Sequence, residues 1–160
     1  MNLKCREVEK ELIPCLRDYG ISFYAYNPLA GGLLTGRYKF TDKDSWDIKT
    51  KCRFHGLGGA SSKMYQDRFW HKNYFTAIDR IKNSLPITKT MAQSSLDWLI
   101  NHSHLSTNHG DAIIIGASTL DQYKNNMEIV MNSEPLPTQA VKCINQAYLE
   151  ISGCVATYYR

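Results

Sequence analysis

Two short apolar runs, Ile21 to Tyr26 and Ala112 to Ile115, stand far apart in the chain, and the stretches between and after them have helical spacing or loop composition. Runs of that length, rich in aliphatic and aromatic residues, read as buried strands. Strands separated by helices cannot form a hairpin. A crossover makes them parallel neighbours in one sheet, with the helices on its outer face. The class expected is therefore α/β, with about two parallel strands and surrounding helices.

The helical segments follow from periodicity and punctuation. Arg6 to Tyr19 carries Val8, Leu12, Cys15 and Leu16 at helical spacing, with Pro14 as a kink and Gly20 as a stop. Met64 to Leu85 carries Tyr65, Phe69, Trp70, Phe75, Ile78 and Ile81 and ends before Pro86. Thr88 to His102 is amphipathic through Met91, Leu96, Trp98, Leu99 and Ile100. Ser118 and Thr119 open a further helix, Thr119-Leu120-Asp121-Gln122 having the capping-box pattern, and a last one starts near Thr138, after Pro137. Tyr38 to Ser62 is polar, aperiodic and longer than a usual connection, which reads as a functional or disordered loop.

At 160 residues the chain is one domain, 1–160, with enough length for a core but not for a complete (β/α)8 barrel, which takes about 250 residues. Nineteen Lys and Arg against fifteen Asp and Glu give +4, without a run of like charge, so neither a nucleic-acid nor a membrane footprint follows. No apolar stretch approaches the roughly 20 residues of a membrane span. The five cysteines are odd in number, lack a Cys-x-x-Cys pair and have no apolar signal segment before them, which points to reduced thiols and a cytoplasmic location. His102, His104 and His109 share one polar loop with no cysteine near, so solvated histidines are expected there rather than a metal site.

After the first strand comes Tyr26-Asn-Pro-Leu-Ala-Gly-Gly-Leu-Leu-Thr-Gly-Arg-Tyr38. A strand feeding a glycine-rich turn is a place where backbone N–H groups can approach an anion, and Pro28 rigidifies the turn. The run is neither Gly-x-Gly-x-x-Gly nor a P-loop, so a plain loop remains the competing reading. Ser118 and Thr119 stand at a helix N-terminus after a strand, which suits either phosphate or simple capping.

This stretch, together with Arg53-Phe54-His55-Gly56, Tyr65-Gln66-Asp67-Arg68-Phe69-Trp70, His109-Gly110-Asp111-Ala112 and Tyr158-Tyr159-Arg160, resembles aldo-keto reductase family seven, the aflatoxin-aldehyde and succinic-semialdehyde reductases. The resemblance begins at Asn2, with Arg6, Glu9, Glu11 and Leu12 in register, and runs to Arg160. Family members are longer, and the matching motifs belong to their C-terminal half. The resemblance therefore implies the C-terminal part of a (β/α)8 TIM barrel, an incomplete barrel whose seventh and eighth strands are the two apolar runs.

It also implies roles. The family reduces aldehydes with NADPH, using an Asp, Tyr, Lys and His tetrad that lies in the absent half, so no residue here is expected to be catalytic and the chain alone is expected to be inactive. For the cofactor, the resemblance places Tyr26 on the nicotinamide, Asn27, Leu29, Gly31 and Leu33 along the pyrophosphate, Arg37 and Arg53 as positive charge, and Ser118, Gln122 and Asn126 at the adenosine end. NADP binding by this half alone is expected to be weak or absent. Arg68 and Arg160 match the arginines that take the carboxylate of a small acidic aldehyde, a role suited to a bidentate guanidinium. His55 stands where the family has an aromatic residue, and residues 44–51 lack its glycine and proline pattern, so substrate preference is expected to differ. A non-catalytic module that pairs with itself or with a full-length reductase is the alternative function, and exposed strand edges are expected to drive homo-oligomer formation.

Overall fold

The computed structural model describes residues 1–46, 52–56 and 59–154, with the side chain of Cys154 left aside. A 3₁₀ turn at Glu7–Glu9 precedes α1 (Leu12–Asp18) and β1 (Tyr24–Ala25); 3₁₀ turns at Ala30–Thr35 and Phe40–Asp44 lead to α2 (Gly59–Phe69), α3 (Lys72–Ser84) and α4 (Met91–Asn101). Then come a 3₁₀ turn at Thr107–His109, β2 (Ala112–Ile113), α5 (Leu120–Met131), α6 (Thr138–Ile151) and a closing 3₁₀ turn at Ser152–Cys154. The α/β expectation holds: β1 and β2 pair in parallel, Tyr24 with Ala112 and Ala25 with Ile113.

Both strands are shorter and more open than their composition implied. The ladder is two residues long, extended by Ala112 N–H to Phe23 O at 3.1 Å and Ile114 N–H to Ala25 O at 2.9 Å. Ala25 is fully buried, whereas Ile21, Tyr24, Tyr26 and Ile114 are 52, 59, 49 and 52% exposed. The reason is the pleat. Ala25 and Ile113 turn toward the helices, while Tyr24, Tyr26, Ala112 and Ile114 share the other face, over which the described residues place no layer.

Asp111 fixes where β2 starts. Its carboxylate accepts from Phe23 N at 2.8 Å and Ser106 N at 2.8 Å and pairs with Arg17 of α1, Nη1 lying 3.1 Å from Oδ1. Gly110 makes that placement possible. Its φ is +73°, and a Cβ there would lie 2.7 Å from the Ser22 Oγ that donates to His109 O.

The core lies on the helical side. α3 buries Tyr74, Phe75, Ala77, Ile78 and Ile81, and α6 answers with Ala140, Ile144, Ala147, Tyr148 and Ile151, two stripes at helical spacing that meet in the most extensive helix contact. Burying each large aliphatic side chain contributes about 1.5–3 kcal/mol. α4 is the central helix: Trp98, Leu96 and Leu99 are fully buried, and Ser95 Oγ reaches Met91 O at 2.7 Å. The N-terminal segment is bracketed to this core by Arg6, whose guanidinium lies 4.4 Å from the Trp98 ring and 4.8 Å from that of Tyr148.

Three helical expectations are corrected. The segment from Arg6 to Tyr19 breaks after Glu9, and α1 takes Pro14 in its first turn, where a missing N–H costs nothing. Met64 to Leu85 is two helices, because His71 is extended (φ −115°, ψ 138°) and Trp70 turns its Nε1 to Phe40 O at 2.9 Å. Trp70 packs there against Phe54, Trp46 and Phe75, each with ring centroids 4.9 Å away. At α5 the Thr119 cap is as expected, its Oγ1 accepting Gln122 N at 3.2 Å, but the Gln122 side chain returns to Ser118 instead of closing the box on Thr119. Gly20 (φ +64°) stops α1 as expected, and α6 starts at Thr138.

Candidate functional site

The turn after β1 has an unusual backbone. Asn27 and Ala30 have positive φ (57° and 50°) without being glycine, and Gly31 and Gly32 continue at 68° and 97°. Side chains hold it there. Asn27 Oδ1 accepts Gly31 N at 2.7 Å, Asn27 O accepts Ala30 N at 3.1 Å, and Asn2 Nδ2 donates to Asn27 O at 3.1 Å from the N-terminal segment. Gly32 N and Leu34 N are both taken by Leu29 O, at 2.9 and 3.2 Å. The amides of Ala30, Gly31, Gly32 and Leu34 are thus committed inside the turn. An anion at this place meets side chains rather than a nest of free N–H groups.

Those side chains are cationic. Arg37 lies over the Tyr38 ring at 4.7 Å and bonds the Tyr38 hydroxyl, with its guanidinium nitrogen 3.6 Å from where a Gly32 Cβ would stand. Arg53 lies 5.7 Å from the Tyr65 ring, and its Cβ is 3.4 Å from a Cβ built on Gly31. The two arginines lie beside the diglycine turn, Arg53 next to Gly31 and Arg37 next to Gly32, each resting on a tyrosine, and neither has a carboxylate partner among the described residues. Burial raises the Tyr38 hydroxyl above its ordinary pKa, with Arg37 opposing, so the phenol stays neutral and serves as a platform. Leu29 is half-buried and Leu33 belongs to the core, so Leu33 can offer a ligand only its backbone. Tyr26 presents its ring on the open sheet face.

The α5 group is separate. Ser118 N and Oγ both donate to Gln122 Oε1, at 3.1 and 2.8 Å, so these two predicted residues are satisfied by each other. Asn126, one turn further, is the buried residue of α5. α4 links the groups: Ser95 Oγ is 3.4 Å from Leu34 O and Met91 packs on Gly36, while Asp97 Oδ1 accepts from Ser133 Oγ at 3.0 Å just beyond α5.

Arg68 occupies a third position. It is half-buried, lies 5.2 Å from the Phe69 ring and has a fully buried Nε without a hydrogen-bond acceptor. No carboxylate among the described residues pairs with it. Its charge is felt at Cys5, where burial raises the thiol's pKa and Arg68 opposes the rise. Arg160, the other residue expected at a substrate carboxylate, lies outside the described residues.

The likeness to known proteins joins these features. The family model for the aldo/keto reductase family matches residues 1–149. The chain belongs to the aldo-keto reductase family. It is 40% identical to rat aflatoxin B1 aldehyde reductase member 2 over 99% of this chain and 43% of the relative, and 38% identical to human aldo-keto reductase family 7 member A3 over 99% of this chain and 48% of the relative. An aldo-keto reductase of the fungus Monascus ruber, pigE, is 32% identical over 99% of this chain and 46% of the relative. The chain thus spans less than half the length of these curated relatives, and its short parallel sheet with surrounding helices fits a part of the family's barrel.

Several family-like residues have structural duties that sequence reasoning did not assign. Asn2 holds the Asn27 turn, and Glu9 joins Arg6 Nε at 2.9 Å to His104 N at 3.2 Å. In the Tyr65 to Trp70 motif, Gln66 Nε2 donates to Phe54 O at 2.6 Å and Tyr65 carries Arg53. Their membership of the motifs was the available signal. Tyr38, the platform for Arg37, closes the Tyr26–Tyr38 stretch and had the same signal.

Proposed function

We propose that this aldo-keto reductase chain carries the phosphate- and carboxylate-binding half of an NADP-dependent aldehyde reductase site and does not turn over substrate alone. The observation that carries the reading is the pair Arg37 and Arg53 beside the Gly31–Gly32 turn, two cations with no carboxylate partner among the described residues. An anionic cofactor fits that pair through its phosphate oxygens. It fits the turn amides less well, because they are already bonded.

In this reading NADPH, when bound, supplies the hydride for the aldehyde carbon. Tyr26 offers a ring face, Asn27 and Leu29 shape the turn beside Gly31 and Leu33, and Ser118, Gln122 and Asn126 form the far end once the Ser118–Gln122 hydrogen bonds open. Arg68, half-buried and without a carboxylate partner among the described residues, takes a substrate carboxylate through its guanidinium. No residue of this chain matches the family's catalytic tetrad. Positioning remains while proton transfer is missing, and loss of a group that acts as a unit costs several orders of magnitude. The four described cysteines, all free thiols, support a cytoplasmic location.

The alternative, a non-catalytic module that pairs with itself or with a full-length reductase, draws on the open face of Tyr24, Tyr26 and Ile114. Calorimetric titration with NADPH, with a parallel assay of 2-carboxybenzaldehyde reduction, separates the two. The expected result is saturable weak binding, reduced about tenfold or more by Arg37→Ala with Arg53→Ala, and no turnover. Binding indifferent to both arginines, or a saturable rate from the pure chain, overturns the proposal.

A further inference from the structure

Arg53 owes its place to a tight turn. Cys52 and His55 close it by exchanging backbone hydrogen bonds, Cys52 N to His55 O at 2.8 Å and His55 N to Cys52 O at 3.1 Å, which leaves Arg53 and Phe54 at its tip. The two tip residues go separate ways. Arg53 is exposed, whereas Phe54 is fully buried and meets the rings of Tyr38, Tyr65 and Trp70 edge-on, with centroids 5.4, 6.1 and 4.9 Å away.

Those ring contacts fix how deep the turn sits, but apolar burial has little directionality. Rotation of the turn about the Phe54 side chain is limited by a hydrogen bond instead, in which Gln66 Nε2 of α2 donates to Phe54 O at 2.6 Å. The acceptor belongs to the residue next to Arg53. Arg53 Cβ is thereby held 3.4 Å from the place of a Gly31 Cβ, with its guanidinium 5.7 Å from the Tyr65 ring. Tyr65 supports the charged group directly, and Gln66 acts on it through the main chain.

The orientation matters because a guanidinium recognises phosphate through paired N–H bonds in a fixed plane. A turn free to rotate would spread Arg53 over many directions, and binding would carry the entropy of fixing it. We infer that Gln66 is a positioning residue for the cofactor phosphate, its side-chain amide aiming Arg53 at the anion by holding the Phe54 carbonyl. The inference rests on the NADP reading of Arg53 and adds to it a neutral residue of α2.

Gln66→Met keeps the side chain's length and removes its donor, while Gln66→Ala opens the Phe54 carbonyl to water. Each is made in the full chain, with and without Arg53→Ala, and titrated with NADPH by calorimetry. Either change at Gln66 should weaken binding about threefold when Arg53 is present and by less than about 1.5-fold when it is replaced. NMR of the arginine side chains adds a signature that general loosening does not produce. At saturation NADPH should shift the Arg53 Nε signal less in both Gln66 variants than in the parent, and the Arg37 Nε signal by the same amount in all three. Equal losses of affinity with and without Arg53, or Arg37 and Arg53 shifts that shrink together, give Gln66 a structural role alone and overturn the inference. Variants that match the parent in affinity and in the Arg53 shift overturn it too. A parent chain whose affinity is unchanged by Arg53→Ala overturns the NADP reading of Arg53 itself, and the inference with it.

Discussion

Arg17 and Asp111 form a two-pronged ion pair that ties the end of α1 to the entry of β2, with the Asp111 side chain only 1% exposed. Burial works against that carboxylate, yet Arg17 and the N–H groups of Phe23 and Ser106 outweigh it and hold its pKa below the ordinary aspartate range. A depressed carboxylate pKa stabilises the fold above the unfolded value and loses that contribution as pH falls through the folded value. Asp111→Ala leaves Arg17 with only the His104 carbonyl at 3.3 Å and two amides without their acceptor, and is expected to cost about 3–5 kcal/mol in urea unfolding. Its stability should also respond less to acid below about pH 4 than the parent's.

His102 predicts a second acid response, at a higher pH. Its Nε2 accepts the Leu136 N–H at 2.8 Å, a bond that only the neutral ring can make. Burial lowers its pKa, with Asp97 opposing. Between that lowered value and the ordinary one near 6.5 the unfolded chain binds more protons, so stability rises with pH across this window and is lost as pH falls. His102→Gln should flatten the dependence there. A melting temperature that keeps the same pH slope in the variant would exclude His102 as its source.

Lys4 predicts the opposite end of the scale. Its amine is buried, donates to Tyr74 O at 3.1 Å, sits 4.0 Å from the Tyr74 ring centroid and has no carboxylate partner among the described residues. Burial holds it well below the usual lysine range, with Cys5 opposing. The unfolded chain therefore binds more protons above the folded value, and stability should climb with pH toward about 10.4. Lys4→Met removes the buried amine at similar volume and is expected to raise stability near neutral pH by about 1–3 kcal/mol. It should also abolish the alkaline climb, as read from denaturant midpoints across pH.

Two glycines with positive φ should respond differently to alanine. Gly20 has nothing within 4 Å of its absent Cβ, so Gly20→Ala pays conformational strain alone, about 1 kcal/mol. At Gly31 the Cβ would meet the Tyr65 ring at 2.8 Å, and Gly31→Ala should cost at least about 2 kcal/mol. It should also disturb the tyrosine that carries Arg53. Equal losses in the two variants, measured by thermal unfolding, would mean that the Tyr65 contact is unimportant.

What the sequence made legible was local. Gly20 as a stop, Thr119 as a cap, Pro137 before α6 and the parallel pair of strands all follow from backbone chemistry a few residues wide. The break at His71 did not, because it depends on Trp70 reaching Phe40 across thirty residues of chain. The shallow strands did not either, since composition shows that Tyr24 and Ile114 are apolar but not whether a layer covers them. At the candidate site, the resemblance named Arg37 and Arg53 as positive charge, and the two lie next to Gly32 and Gly31. It could not show that Asn27 and Leu29 would occupy the turn's amides, nor that Asn2 would brace it.

The left-handed backbone at Asn27 and Ala30 bears on when order is acquired. A non-glycine residue in that region costs about 1–2 kcal/mol, and here the Asn27 side chain and Asn2 compensate it during folding. The turn is set before any ligand arrives. A phosphate that docks on Arg37 and Arg53 therefore has two exposed arginine side chains to immobilise and no main chain to reorganise. Its arrival should leave the slow amide-exchange pattern of Ala30, Gly31 and Gly32 unchanged.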